Sequence, residues 1–236
     1  RAMDHAGIDA VLVGDSLGMV IKGGANTVSV SIDDMVYHSR CVAQGLQSAL
    51  LIADMPFQSY ATPERALDAA TALLSEGMAS MVKLEGAGFV LDAIAFLSER
   101  DIPVCAHLGL TPQSVLKLGG FKVQGRDEQA ALAIIEQAKQ VERAGAQLLV
   151  LECLPSSLAK SVTETVGIPT IGIGAGPDCD GQILVSYDAL GINSGHRRPR
   201  FVKDFLAGNG SIDAAFAQYV RDVKSGEFPS LEHGYA

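Results

Sequence analysis

Six ionisable side chains recur at one kind of position in this sequence. Asp15, Asp54, Lys83, Glu85, His107 and Glu152 each end, or directly follow, a short apolar run. Four carboxylates brought together repel strongly in a low-dielectric site, so a cation is their natural partner. Oxygen ligands without a Cys or His pair favour Mg²⁺ over Zn²⁺, and Mn²⁺ and Co²⁺ accept the same donors. Mg²⁺ takes one or two carboxylates and keeps room for waters and substrate oxygens. Asp15 and Asp54 are the simplest direct ligands, Glu85 a water-bridged one, and Lys83 a neutraliser of an anionic substrate group. Glu152 suits a base that is not a ligand. A divalent ion on adjacent keto and carboxylate oxygens acidifies the carbon beside the ketone, and a positioned base then forms the enolate. Such a site makes or breaks carbon–carbon bonds next to a 2-oxo acid.

Each residue also has a plainer use. Asp15 and Ser16 follow Gly14 at the end of a buried run, where they either cap the next turn or present a ligand. Asp54, before Met55 and Pro56, has the same two uses. Lys83 and Glu85 share a strand face and pair with each other on the plainer view. His107 alone fits a satisfied core histidine. Six such coincidences together are a weaker explanation than any one of them.

Positioning these residues falls to a repeating unit. Segments 8–13, 49–53, 79–85, 102–106, 146–152 and 168–173 read as strands apolar on both faces, with a short seventh at 182–185. Helices are expected between them at 32–46, 63–77, 89–100, 127–144 and 156–166. Ser31 caps the first, with Asp33 and Asp34 in its first turn, and Thr62 precedes Pro63 and Glu64 in the next. Segments 201–206 and 212–225 also read as helix. The stretch 108–126 is a long loop, a length usually tied to function. Strands buried on both faces with helical crossovers mean a parallel sheet of the α/β class. A single-domain (β/α)₈ TIM barrel over residues 1–236 is expected, with an open doubly wound sheet as the alternative. In the barrel, polar residues at the carboxyl strand ends meet at one mouth. Residues 1–7 read as the end of a helix, so the first barrel strand is expected to be missing from the N-terminus of this chain.

The net charge of −9 argues against a nucleic-acid partner, which needs a basic footprint. Four cysteines without C-x-x-C spacing or a His pair read as reduced thiols of a cytoplasmic protein. No apolar run reaches membrane-spanning length, and no signal peptide is visible. The glycine-rich strand end 171–176 is weak evidence for a phosphate loop; a close approach of neighbouring backbone explains it equally. The basic cluster 196–200 reads as a solvated loop or a subunit contact.

Ordered motifs add a specific likeness. They are Val13-Gly-Asp-Ser-Leu-Gly-Met19, Ala53-Asp-Met-Pro-Phe57, Val82-Lys-Leu-Glu-Gly86, His107-Leu-Gly-Leu-Thr-Pro-Gln113, the run 119–126, Leu151-Glu-Cys153, the run 171–176 and Asp180-Gly-Gln182. Together they resemble the ketopantoate hydroxymethyltransferase family over nearly the whole chain. The resemblance implies a barrel of the phosphoenolpyruvate/pyruvate type. It implies transfer of a hydroxymethyl unit from 5,10-methylenetetrahydrofolate to 3-methyl-2-oxobutanoate in pantothenate synthesis, giving 2-dehydropantoate and tetrahydrofolate. Carried over by motif, Asp15 and Asp54 are Mg²⁺ ligands and Glu85 is linked to the ion through water. Asp15, Ser16, Asp54, Lys83 and His107 line the keto-acid site, and Glu152 is the proton acceptor. Members of the family are cytoplasmic homodecamers of two pentameric rings. Ala87 departs from a Gly-Gly pair usual after the Lys-x-Glu motif. The competing expectations are a barrel lyase or mutase, which would place a Cys acid in a mobile loop, and a non-catalytic barrel. No Cys lies within 108–126.

Overall fold

The charged strand ends sit on a parallel sheet whose register sets them side by side. The computed structural model describes residues 1–192 and 198–236. In chain order its elements are α1 (Ala2–His5), β1 (Ala10–Val13), α2 (Leu17–Val20), α3 (Ile32–Ala43), β2 (Leu50–Asp54), α4 (Pro63–Ser75), β3 (Met81–Glu85), α5 (Val90–Ser98) and β4 (Val104–Gly109). A 3₁₀ turn (Pro112–Ser114) leads into α6 (Val115–Leu118), α7 (Glu128–Arg143), β5 (Leu148–Glu152), α8 (Ser156–Thr165), β6 (Thr170–Ile173), β7 (Gly181–Gln182), α9 (Ser186–Ala189) and α10 (Ile212–Ser225).

All seven strands pair in parallel and in sequence order. A doubly wound sheet would reverse its order at a switch point, so that alternative is excluded. Among the described residues the sheet has seven strands, with β1 and β7 at its edges.

Strand alternation divides the apolar residues into two layers. Val13, Leu51, Ala53, Val82, Leu84, Val104, Ala106, Leu149 and Leu151 point outward and pack against the helices. Ile52, Met81, Cys105 and Val150 pack together on the opposite face, with Leu12 and Ile171 against them. One cluster fed by six strands means a curled sheet with a filled interior. On four of these strands, stepping two residues carries that inner face from apolar to charged: Ile52 to Asp54, Met81 to Lys83 and Glu85, Cys105 to His107, Val150 to Glu152.

The helix starts follow their capping chemistry. Ser31 and Asp34 form a reciprocal capping box, Thr62 Oγ1 accepts from Arg65 N–H, and Asp127 accepts from Ala130 N–H. The helix expected at 201–206 is absent. There the Asp204 carboxylate captures the N–H groups of Leu206 and Ala207, at 3.0 Å each, and closes a turn instead. The seventh strand is also shorter than expected, because Val185 already leads into α9.

Of the basic cluster 196–200, His196 and Arg197 lie outside the described residues. Arg198 pairs with Asp204, and Arg200 donates to the Glu232 carbonyl. The four cysteines are free thiols. No helix among the described residues is long and apolar enough to cross a membrane.

Candidate active site

Asp15, Asp54, Lys83, Glu85 and His107 are 2–6% exposed, and they form one connected network at the carboxyl strand ends. Register builds it. Asp54 lies opposite Lys83 on β2 and β3, and Glu85 lies opposite His107 on β3 and β4. Lys83 Nζ is 2.7 Å from Asp54 Oδ1, 3.1 Å from His107 Nδ1 and 3.8 Å from Glu85 Oε1. Lys83 and Glu85 are therefore not a private pair, since Asp54 is the nearer carboxylate. His107 bridges the buried cluster to the mouth, with Nδ1 3.4 Å from Glu85 Oε1 and Nε2 3.2 Å from Glu152 Oε2. The Glu152 side chain is 17% exposed and is the open member of the group.

The turn after β1 does not use the Asp15 and Ser16 side chains as caps. Its amides are satisfied by backbone: Leu17, Gly18 and Met19 donate to the Gly14, Asp15 and Ser16 carbonyls. Ser16 makes no side-chain cap bond at the start of α2. Neither side chain is needed to hold the turn. Asp54 has a structural part as well, because its Oδ2 accepts the Asp15 N–H at 3.0 Å. Gly14 lies between the two residues. A Cβ there would sit 3.0 Å from Ser16 Oγ and 3.3 Å from Asp54 Oδ2.

The charges do not balance. Burial, then the neighbouring Asp54 and Glu85 charges, push the Asp15 carboxyl up to about 8. Burial also raises Asp54, against the pull of Lys83. Burial favours a neutral Lys83, but Asp54, Glu85 and Asp15 outweigh it and hold the ammonium. Burial works against ionised Glu85, yet its bonds to His107, the Lys83 charge and the Gln113 N–H keep it lowered. Among the described residues, Asp54 Oδ1 and His107 Nε2 have ion-pair contacts alone, Lys83 Nζ at 2.7 Å and Glu152 Oε2 at 3.2 Å, and no further hydrogen-bond partner. A buried carboxylate oxygen with unused accepting capacity, amid an excess of hard oxygen donors, fits a small divalent cation. No three His, Cys, Asp or Glu side chains among the described residues form a ready-made ligand cluster.

Two residues to which the sequence assigned no role organise this network: Gln113, the last residue of the 107–113 motif, and Tyr60. Gln113 Nε2 donates to Asp15 Oδ2 and to the Met55 carbonyl, both at 2.9 Å, and its backbone N–H donates to Glu85 Oε2 at 3.0 Å. Tyr60 donates its hydroxyl to Gln113 Oε1 at 2.6 Å. The only local hint is Pro112, which starts the 3₁₀ turn presenting Gln113.

Backbone geometry supports the same mouth. Gly109, at φ +96°, lies opposite Glu152, and a Cβ there would meet the Glu152 carbonyl at 2.2 Å. Gly86 and Gly88 take the positive φ angles after β3, so Ala87 between them needs no special conformation. At the glycine-rich end of β6, a Cβ on Gly174 would strike Phe201 and one on Gly176 would strike Ser156. Close packing of protein accounts for those glycines.

The family model for ketopantoate hydroxymethyltransferase matches residues 1–231. The chain belongs to the ketopantoate hydroxymethyltransferase family. It is therefore a transferase enzyme. A curated relative from Stenotrophomonas maltophilia (strain R551-3), named 3-methyl-2-oxobutanoate hydroxymethyltransferase, is 59% identical over 236 residues, covering all of this chain and 86% of the relative. The fold is shared with oxaloacetate acetylhydrolase in complex with oxalate, at TM-score 0.60 and 14% identity, over 96% of this chain and 90% of that one. It is also shared with 2,3-dimethylmalate lyase of the PEP mutase/isocitrate lyase superfamily, at TM-score 0.51 and 16% identity, over 72% and 63% of the two chains. That likeness confirms the barrel-type α/β architecture for this family member.

Proposed function

We propose that this family member transfers a hydroxymethyl group to 3-methyl-2-oxobutanoate, with 5,10-methylenetetrahydrofolate as donor. Water is consumed, and 2-dehydropantoate and tetrahydrofolate are released. The observation that carries the reading is the placement of Glu152: a half-open carboxylate at the mouth, joined through His107 to a buried cluster with too much negative charge.

Asp15 and Asp54 would hold Mg²⁺, with Mn²⁺ or Co²⁺ as substitutes, and Glu85 would reach it through water. When bound, the cation supplies Lewis-acid polarisation of the 2-oxo group. Lys83 faces the substrate's negative charge, and Ser16 offers a hydroxyl that no turn requires. Glu152 takes the proton from C3 of the keto acid, leaving an enolate; water cleaves the one-carbon unit from the folate nitrogens as formaldehyde, releasing tetrahydrofolate, and C3 attacks that carbon, whose oxygen takes up a proton to become the new hydroxyl. His107 orients Glu152. Whether the ring is cationic or neutral with Nδ1 accepting from Lys83, Nε2 carries the N–H that faces Glu152. The proton then leaves Glu152 through the open side of the mouth.

Exchange of the C3 hydrogen for deuterium, with Mg²⁺ and no folate, isolates this step. Wild type should exchange, and Glu152→Gln should slow exchange by about 10²-fold or more, the range for losing a general base. Absent exchange in wild type, or unchanged exchange in Glu152→Gln, sinks the assignment.

We also propose a cytoplasmic homodecamer. Free thiols suit a reducing compartment. Phe89, Leu116 and Phe121 are more than half exposed in the connections that follow β3 and β4, Leu116 on α6, where self-association would cover them. Light scattering gives the mass directly.

A further inference from the structure

Gln113 ties together several strands of the site through its side chain and its backbone N–H, and none of the steps above uses it. From the loop after β4 it reaches the ends of three other strands: Asp15 beyond β1, the Met55 carbonyl beyond β2, and Glu85 at the end of β3. Its amide has one possible orientation. Nε2 supplies two donors to two acceptors, and Oε1 accepts from Tyr60, whose oxygen in turn lies 3.4 Å from the Glu85 N–H. A flipped amide would aim its oxygen at a carboxylate and a carbonyl.

Gln113 gives one donor to each of two carboxylates, taking Asp15 Oδ2 and Glu85 Oε2, and leaves one oxygen of each for other partners. Pinning one oxygen fixes the side-chain torsions, so the other oxygen has a defined position. Groups that orient metal ligands from behind act in this way.

We propose that Gln113, backed by Tyr60, is a positioning residue for cation binding: its side-chain amide holds Asp15 in the rotamer that receives the divalent ion, while its backbone N–H, which a side-chain substitution leaves in place, steadies Glu85. This rests on the cation assignment in the proposed function. It also gives the long 108–126 loop a defined task, because Gln113 is the point where that loop enters the site.

Mn²⁺ titration of chelator-stripped protein, followed by the electron paramagnetic resonance of free Mn²⁺, tests it without turnover. Thermal unfolding is recorded on the same samples. Gln113→Leu should weaken Mn²⁺ binding roughly 10–100-fold, the usual cost of losing an orienting partner, and Tyr60→Phe should weaken it by less. Unchanged Mn²⁺ affinity in Gln113→Leu, even with a lowered Tm, overturns the inference and leaves a structural clamp. If Gln113→Leu does not fold, Tyr60→Phe decides, and wild-type affinity there overturns it equally. Asp15→Asn is the control. If wild type does not bind Mn²⁺, or Asp15→Asn binds as wild type does, the cation assignment fails and the inference falls with it. If both controls behave and Gln113→Leu still binds normally, the inference falls alone.

Discussion

Asp4 and Asp15 are buried aspartates on either side of β1, one before its amino end and one beyond its carboxyl end. Burial alone would treat them alike, but their partners differ. Asp4 accepts three backbone N–H bonds, from Gln47, Ser48 and Ala49, and a fourth bond from the Ser48 hydroxyl. Led by the Ala49 and Ser48 amides, those donors lower its carboxyl to about 2. Asp15 has one amide donor from Gln113 and two carboxylate neighbours, and it is pushed up to about 8. Asp4 ties α1 to the turn entering β2 and is fully satisfied. Asp15 is held where its own charge is disfavoured. Barrels commonly keep stability at the amino-end face and chemistry at the carboxyl-end face, and these two residues show that division in hydrogen-bond terms.

The sharpest break comes from removing the lysine of the site. Lys83→Met leaves Asp54, Glu85 and Asp15 buried without compensation. It should abolish activity and cost about 3–5 kcal/mol, the range for stripping one partner from a buried pair. Lys203→Met is the matching change in a structural pair, where Nζ lies 2.6 Å from the buried Asp222. That lysine is 39% exposed, and Gln218 still donates to Asp222. Solvent screening limits the loss to about 1 kcal/mol or less, with activity unchanged. Denaturant melts and turnover of the two variants, side by side, measure both differences. Equal losses of stability would mean that the excess charge around Lys83 is not what distinguishes the site.

A smaller effect carries the more telling sign. In metal-free protein, Asp15→Asn keeps an acceptor for Gln113 and removes the repulsion from Asp54 and Glu85. It should raise Tm by about 2–4 °C, the shift made by 1 kcal/mol in a chain of this length, while abolishing activity. Asp4→Asn should lower Tm, because an amide cannot accept four bonds as a carboxylate does. Stability traded against function at one aspartate and not at the other is the signature of an active site. A loss of Tm in both variants would remove the contrast.

The charged strand ends were legible because an apolar run stops at a polar residue, and on four strands a period of two carries the inner face from one to the other. Val150 to Glu152 and Cys105 to His107 are visible as patterns before any contact is known. Gln113 was not legible, because its importance comes from meeting Asp15, 98 residues away, and a loop amide has no period to betray it. Local competition hid other details. Asp204 turns a helix-like run into a turn with its side chain. Ile8, read as the first strand residue, instead packs with the aromatic cluster of Phe205, Tyr219 and Phe228, so β1 begins at Ala10.

The pH dependence of Asp4 is the smallest effect and the most direct test of its role. Its folded carboxyl lies at about 2, below the ordinary 3.8. A lowered carboxylate adds stability above its unfolded value, and the contribution is lost as pH falls through the folded value. Between about pH 4 and pH 2, wild type should therefore lose stability that Asp4→Asn has already lost. The two proteins should differ most above pH 4 and converge toward pH 2. Denaturant midpoints across that window measure the convergence. If the gap stays constant, the N–H bonds at residues 47–49 do not favour the charged form, and Asp4 holds the turn by shape alone.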